Sequence, residues 1–334
     1  MRRREFLAAF AGASFLLPIG AGAQQSTKVY RIALLHPSHP VTEITESSSL
    51  PYYRAFFDEL RRLRYVDGQN LSIERYSGEG RVENYTAIAQ TAVARNPDLL
   101  VAITPTIART LKEATSTIPI VALTASDPVV EGLVPNLAHP GGNLTGVSAE
   151  PGLEIWGKRF QLFREVVPII SKVGLLAVGT NPQERDAMLQ TAEKAGVRVV
   201  GSALVDSGSD ADYRRFFVAM SKDGADALFV DGSPENVTKR QLIVELAAEF
   251  RLPAIYASRS FVEAGGLMAY GTDLVDTFRQ GARSIDKILK GTKPGDIPYY
   301  LPTKFELVIN LGAAKALGLT IPSSVLSLAD DLVD

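Results

Sequence analysis

Cysteine is absent from all 334 residues, and histidine occurs only three times. The first absence excludes disulfides, a thiol nucleophile, and the lipid-bearing cysteine of a bacterial lipoprotein. The second leaves little from which to build a nucleophile–base pair or a closed metal site: His36 and His39 share one loop, and His139 stands apart. Charge of a single sign is missing as well. With 35 Lys and Arg against 37 Asp and Glu, dispersed along the chain, there is no basic patch for nucleic acid. Beyond Leu17 no apolar run is long enough to span a bilayer. There is no G-x-x-x-x-G-K-[ST] loop and no G-x-S-x-G elbow. Gly141-Gly142-Asn143-Leu144-Thr145-Gly146 is glycine-rich, but it follows a predicted helix and precedes a strand, the wrong order for a phosphate loop.

What is present begins at the amino terminus. Arg2-Arg3-Arg4 leads into Glu5-Phe6-Leu7, an apolar run from Ala8 to Leu17, and the small residues Ala21-Gly22-Ala23. A basic start, a short apolar segment and an A-x-A site predict an export signal over residues 1–23, cleaved near Ala23. Arg3-Arg4-Glu5-Phe6-Leu7 fits the twin-arginine form of such a signal, and the general secretory route is the alternative. With no cysteine to carry lipid, the expectation is a protein released unanchored into the periplasm.

From residue 28 onward, short apolar runs alternate with amphipathic segments, which predicts an α/β fold with mostly parallel sheets. Strands are expected at Val29–Leu35, Leu71–Tyr76, Leu99–Ile103, Ile120–Leu123, Val173–Val178, Val197–Leu204, Ala227–Val230, Ala254–Tyr256 and Phe305–Asn310. Helices are expected at Pro51–Leu63, through Tyr85–Val93, and at Ile107–Ala114, Val129–Leu137, Leu153–Val167, Gln183–Ala195, Asp212–Ser221, Val237–Phe250 and Thr277–Leu289. Trp156, Phe160 and Phe163 at helical spacing are expected in the core. The two halves echo each other. Tyr85, Asp98-Leu99-Leu100-Val101 and Pro119-Ile120 occur in the order of Tyr213, Asp226-Ala227-Leu228-Phe229 and Pro253-Ala254-Ile255.

This organisation predicts two Rossmann-like lobes, residues 28–146 with 274–300 and residues 147–273 with 301–334. Strands Asn143–Ser148 and Leu267–Tyr270 are the expected crossings of a hinge that closes the lobes on each other.

Ligands of open α/β sheets lie beyond the carboxyl ends of the strands. The candidates there are His36, Thr104, Thr106, Ser126 and Asp127 in the first lobe, and Asn181, Asp231, Ser233, Arg259, Tyr270 and Asp273 in the second. Small hydroxyls ahead of a helix suit an anionic group, whereas Asp231 or Asp273 would suit an ammonium. The plainer reading makes Ser126, Asp127, Ser233 and Asp273 helix caps. Tyr270 or Tyr52 could wall an aromatic ligand. No catalytic residue, metal or cofactor is expected.

Several segments together resemble one family. They are Tyr65-Val66-Asp67-Gly68-Gln69-Asn70-Leu71, Asp127-Pro128 with Gly132-Leu133-Val134, and His139-Pro140-Gly141-Gly142-Asn143-Leu144-Thr145-Gly146. Phe261-Val262-Glu263-Ala264-Gly265-Gly266-Leu267-Met268 and Pro302–Leu311 continue the likeness. They resemble the extracytoplasmic ABC-transporter substrate-binding proteins that include tryptophan- and tyrosine-binding members. The departures are His139, where an arginine is usual, and His36-Pro37-Ser38-His39 in the first loop. The resemblance implies a type I periplasmic-binding fold without enzymatic activity. It also implies a small solute held between the lobes and delivered to a membrane permease. A monomer is the expected state. The alternatives are a ligand-sensing module for a membrane receptor and an exported α/β hydrolase.

Overall fold

The computed structural model describes residues 28–124, 126–149, 154–178, 182–201 and 209–334. The expected export signal and Asn181 lie outside them. The first lobe is built on five parallel strands: β1 (Tyr30–His36), β2 (Leu71–Ser77), β3 (Leu99–Ile103), β4 (Ile120–Thr124) and β5 (Leu144–Ser148). Their order is β2-β1-β3-β4-β5, with helices α1 (Pro51–Arg62), α2 (Asn84–Ala94) and α3 (Pro105–Ala114) in the crossovers.

The second sheet has seven strands: β6 (Lys172–Leu176), β7 (Arg198–Val200), β8 (Ala227–Val230), β9 (Ala254–Tyr256), β10 (Met268–Thr272), β11 (Phe305–Asn310) and β12 (Asp331–Val333). The order is β12-β11-β10-β9-β8-β6-β7, and only the β10–β11 pair is antiparallel. Its helices are α4 (Glu154–Val166), α5 (Pro182–Lys194), α6 (Asp210–Lys222), α7 (Pro234–Thr238), α8 (Arg240–Glu249) and α9 (Arg259–Glu263). The chain then returns to the first lobe as α10 (Leu274–Leu289), which packs against α1 and beside β4 and β5. Short helices α11 (Leu311–Ala316) and α12 (Ser323–Leu326) finish the second lobe.

Burial on both faces explains why the strands are near-continuous apolar runs. Ile32 and Leu34 of β1 face the layer of α1 and α10, while Ala33 and Leu35 face α2 and α3. Small residues on that second side, including Ala89, Ala102, Ala108 and Ala122, keep the layer thin. In the second lobe Phe160 stacks on Phe229 at 4.3 Å, with Trp156 and Phe163 alongside, as their spacing predicts.

Glu59 of α1 fixes α10 through Arg283 at 2.7 Å, and pairs with Arg62 of its own helix at 2.7 Å. A Cβ at Gly281 would overlap Leu123, so glycine is what lets α10 lie this close to β4.

Three local expectations are corrected. Val129–Leu137 forms turns instead of a helix, because Pro135 stands inside it and Gly132 adopts φ +67°. The helix expected at Val237–Phe250 starts earlier and breaks at Lys239, giving α7 and α8. Finally, neither expected hinge strand passes between lobes. β5 stays wholly in the first sheet beside β4, and β10 stays in the second between β9 and β11. Among the described residues the chain changes lobes at Asp273, between β10 and α10, and again between Tyr300 and β11. The return segment Ile297–Tyr300 lies along β5. The Ser148 N–H donates to the Tyr300 carbonyl and the Tyr300 N–H donates to the Gly146 carbonyl, both at 2.9 Å.

Candidate functional site

The loop after β1 and the start of α2 meet α7, which follows β8 of the second sheet, across the cleft between the lobes, and hydrogen bonds bridge it. The Tyr85 hydroxyl on α2 donates to Glu235 Oε1 on α7 at 3.2 Å. The Ser38 and Thr238 hydroxyls meet at 3.1 Å. The loop after β1 therefore lies against α7.

That loop is folded by His36. Its Nδ1 accepts the backbone N–H groups of Ser38 (3.0 Å) and His39 (2.7 Å), which places its remaining proton on Nε2. Complete burial, with His39 beside it, keeps His36 well below its ordinary value and neutral. His39 stacks on it at 4.3 Å. Burial, and after it the Arg240 guanidinium across the cleft, lower His39 to about 4.

The two imidazoles form one aromatic group with Tyr52, Tyr53 and Phe278. Tyr53 stands edge-on to His39 at 5.8 Å, and Tyr52 packs on Phe278 at 4.7 Å. Two polar atoms in this group are buried without a partner, His39 Nδ1 and the Tyr53 hydroxyl. His39 is 3% exposed and Tyr53 0%, so each orphan atom forfeits a hydrogen bond worth having.

Arg240 faces this group from the first turn of α8. Its guanidinium donates to the Val237 carbonyl at 3.1 Å, and among the described residues no carboxylate lies within ion-pair distance of it. By contrast, the Arg259 nominated from sequence is committed to Asp331 (2.6 Å) and Glu306 (3.3 Å). Arg240, Tyr53, Tyr85 and Glu235 are not nominated from the sequence, and His39 figures there only as part of the loop that follows the first strand. Their common signal is faint. Tyr85 was visible as the counterpart of Tyr213, and His39 as the neighbour of a nominated histidine.

The other nominated residues fall into two groups. Most are spent on local structure. Asp273 caps α10 by accepting the N–H groups of Val275 (2.9 Å) and Asp276 (3.1 Å). Asp127 closes a turn onto Val129 at 2.8 Å, and Ser126 donates to Glu131 at 3.2 Å. Asp231 accepts from Val178 N (3.2 Å), Ser233 N (3.0 Å), the Ser233 hydroxyl (2.7 Å) and Asn236 Nδ2 (2.7 Å). Tyr270 stacks on Phe305 at 5.8 Å, and its carbonyl accepts from Arg159 at 2.8 Å.

Thr104 and Thr106 remain at the mouth of β3, where the chain turns into α3. Thr104 is a β-branched residue at φ +107°, strain of order 1–3 kcal/mol that surrounding structure must hold. Its hydroxyl accepts from Ile107 N at 3.4 Å. Among the described residues, no cluster of three His, Asp or Glu could hold a metal ion, and no helix is long and apolar enough to cross a membrane.

Two lobes joined across a cleft by hydrogen bonds agree with what the chain is similar to. Residues 41–333 match the family described as ABC transporter substrate binding protein. The chain belongs to that family. A tyrosine-binding protein of Clostridioides difficile (strain R20291) is 26% identical over 281 residues, covering 83% of this chain and 79% of the relative. An ABC domain from Streptococcus pneumonia, solved in complex with L-Trp, is 27% identical with a TM-score of 0.78, covering 92% of this chain and all (100%) of the other. A conserved domain protein from Vibrio cholerae O1 biovar El Tor str. N16961 is equally similar, at 27% identity and TM-score 0.78, covering 91% and 100%. The substrate-binding protein thus has the α/β two-lobed fold of type I periplasmic binding proteins, and its family binds solutes for ABC transporters.

Proposed function

We propose that this substrate-binding protein captures an aromatic amino acid between its lobes and presents it to an ABC permease. The observation that carries the reading is the pairing across the cleft. Among the described residues, an aromatic group with two orphaned polar atoms on one lobe faces a guanidinium without an acid partner on the other. Tyr52, Tyr53, His39 and Phe278 offer the edges and faces that a planar side chain packs against. Arg240 supplies a charge-assisted donor pair for the α-carboxylate, while Tyr53 or His39 can complete the polar contacts. Thr104, the N-cap of α3, and Thr106 in its first turn line the same end of the first sheet. The tyrosine-binding relative and the L-Trp complex support this choice of ligand class.

The mechanism is closure of one sheet-and-helix body on the other. The ligand touches both, and it favours the closed form only by its differential affinity for that form. Release from an export signal ending near Ala23, diffusion in the periplasm as a monomer, and docking of the closed form on permease subunits complete the reading. Thermal unfolding of residues 24–334 with L-tryptophan, L-tyrosine and L-phenylalanine tests it. Saturation at a hundred times the dissociation constant adds ~2.7 kcal/mol of stability. No shift with any of the three removes the ligand class.

A further inference from the structure

Among the described residues, the two hydrogen bonds that bridge the cleft, Tyr85–Glu235 and Ser38–Thr238, both end on one five-residue helix, α7. Near its start, Glu235 Oε1 accepts from Tyr85, 150 residues away in sequence. At its last residue, the Thr238 hydroxyl meets Ser38, 200 residues away. Between them Asn236, 0% exposed, anchors the helix to its own lobe. It accepts from the Tyr213 hydroxyl at 2.9 Å and donates to Asp231 (2.7 Å) and to the Leu176 carbonyl (3.2 Å). Tyr85 is held just as firmly. Its ring lies over Gly78, where a Cβ would overlap both the ring and the Pro37 carbonyl. The α7 end of the bridge cannot slacken without disturbing a buried network.

We propose that α7 is a clasp: by gripping Tyr85 and Ser38 it favours the closed arrangement through contacts separate from those to ligand, and Glu235 makes that grip depend on proton concentration. This rests on the two-lobed receptor reading. Opening would exchange both bonds for water and return the Glu235 carboxyl to solvent.

In the closed arrangement burial is the dominant influence on that carboxyl and raises it to about 7. Its own backbone N–H and the Tyr85 hydroxyl pull it down, and Asp231 pushes it up. The titratable groups that act on it are Tyr85 from α2 and Asp231 just after β8; beyond them, Glu83 ahead of α2 acts on Tyr85, and Asp210 and Asp212 of α6 act on Tyr213, which also feels Glu235. Arg240 at the start of α8 faces His39 and Tyr52 of the opposite lobe.

The sign follows from linkage. A carboxyl at its ordinary 4.5 when exposed and about 7 when enclosed takes up a proton on closing. Closure is therefore strongest below 4.5 and weakens as pH rises through about 7. His39 acts in the opposite sense. Its imidazole is held at about 4 by burial and by Arg240, so any proton it sheds on closing disfavours closure at acid pH.

The absence of native cysteine allows a direct measurement. Exposed positions Gln69 and Lys222, one on each lobe, take spin labels after Q69C and K222C substitution. Inter-lobe distances are then read at about pH 5.5 and about pH 8, with and without L-tryptophan as probe. Expected for the unsubstituted clasp is a larger short-distance population at the lower pH. Y85F and G78A should move the population to longer distances without any probe present, and weaken L-tryptophan binding roughly three- to thirty-fold. E235Q should keep the short distance at the higher pH and lose the pH trend, or leave only the opposite trend of His39. Distance distributions of Y85F and E235Q that match the parent at both pH values overturn the clasp. Distances that respond while L-tryptophan fails to bind uphold the clasp and count against the ligand class alone.

Discussion

Tyr85 and Tyr213, which open corresponding helices in the two lobes, direct their hydroxyls to adjacent residues of α7, Glu235 and Asn236. One bond crosses the cleft at 3.2 Å and the other stays within its lobe at 2.9 Å. The internal echo in the sequence thus converges physically on one short helix, from opposite sides. Residues close to it in space should carry much of the binding behaviour.

Arg240 is the first of these. R240Q removes the cleft guanidinium while keeping a comparable side-chain length. Affinity for L-tryptophan or L-tyrosine should fall at least about ten-fold, the scale of a lost charge-assisted pair. Calorimetric titration measures it, and thermal unfolding without ligand should stay nearly unchanged because, among the described residues, no carboxylate pairs with Arg240. R240K should recover only part of the loss.

Tyr53 separates binding from stability. Its hydroxyl is fully buried and has no partner, so Y53F removes an unsatisfied group and should leave the protein equally or slightly more stable, by up to about 1 kcal/mol. If the hydroxyl serves the ligand, affinity should fall several-fold in the same variant. Urea unfolding and titration on one preparation read both effects. Lower stability with unchanged affinity would show that Tyr53 only packs.

Asp231 should behave in the contrary way. Four donors within its own lobe end on its carboxylate, and D231A strands them in a buried loop. A loss of roughly 2–4 kcal/mol is expected in chemical denaturation. Binding should weaken too, because Asp231 holds Asn236 and hence α7.

Glu59 governs acid stability. Its bond to Arg62, followed by that to Arg283, holds its carboxyl at about 2 against an ordinary 4.5. A depressed carboxyl contributes stability above 4.5 that is lost as pH falls through about 2. E59Q should therefore be less stable at neutral pH and show a flatter decline between those two values. Thermal midpoints across that range measure the slope. An unchanged slope would assign the acid sensitivity elsewhere.

The legibility of the chain followed how local each signal was. Strands such as β3 and β4, buried at every position, announce themselves as unbroken apolar runs, and helices such as α1 by one apolar face. Val129–Leu137 misled because its apolar spacing outweighed Pro135 and Gly132. Caps were legible as residue types but ambiguous as roles. Asp127, Asp231 and Asp273 occupy the positions where ligands bind, yet their oxygens are spent on nearby backbone and side chains. Arg240 could not be distinguished by type from the other 34 of the 35 Lys and Arg; only the opposite lobe singles it out. The bridge from Tyr85 to Glu235 spans 150 residues and leaves no local pattern at all.

The return segment laid along β5 has a bearing on life in a crowded compartment. A parallel sheet that ended at β5 would offer a row of bare amides and carbonyls to any passing chain, the template from which strand-swapped oligomers and fibrils grow. Tyr300 occupies two of those groups, on Ser148 and Gly146, and the Thr145 hydroxyl ties down the Ile297 carbonyl at 2.8 Å. The link that lets the lobes move thereby also shields the first sheet from self-association, so shortening it to stiffen the hinge would trade mobility for aggregation.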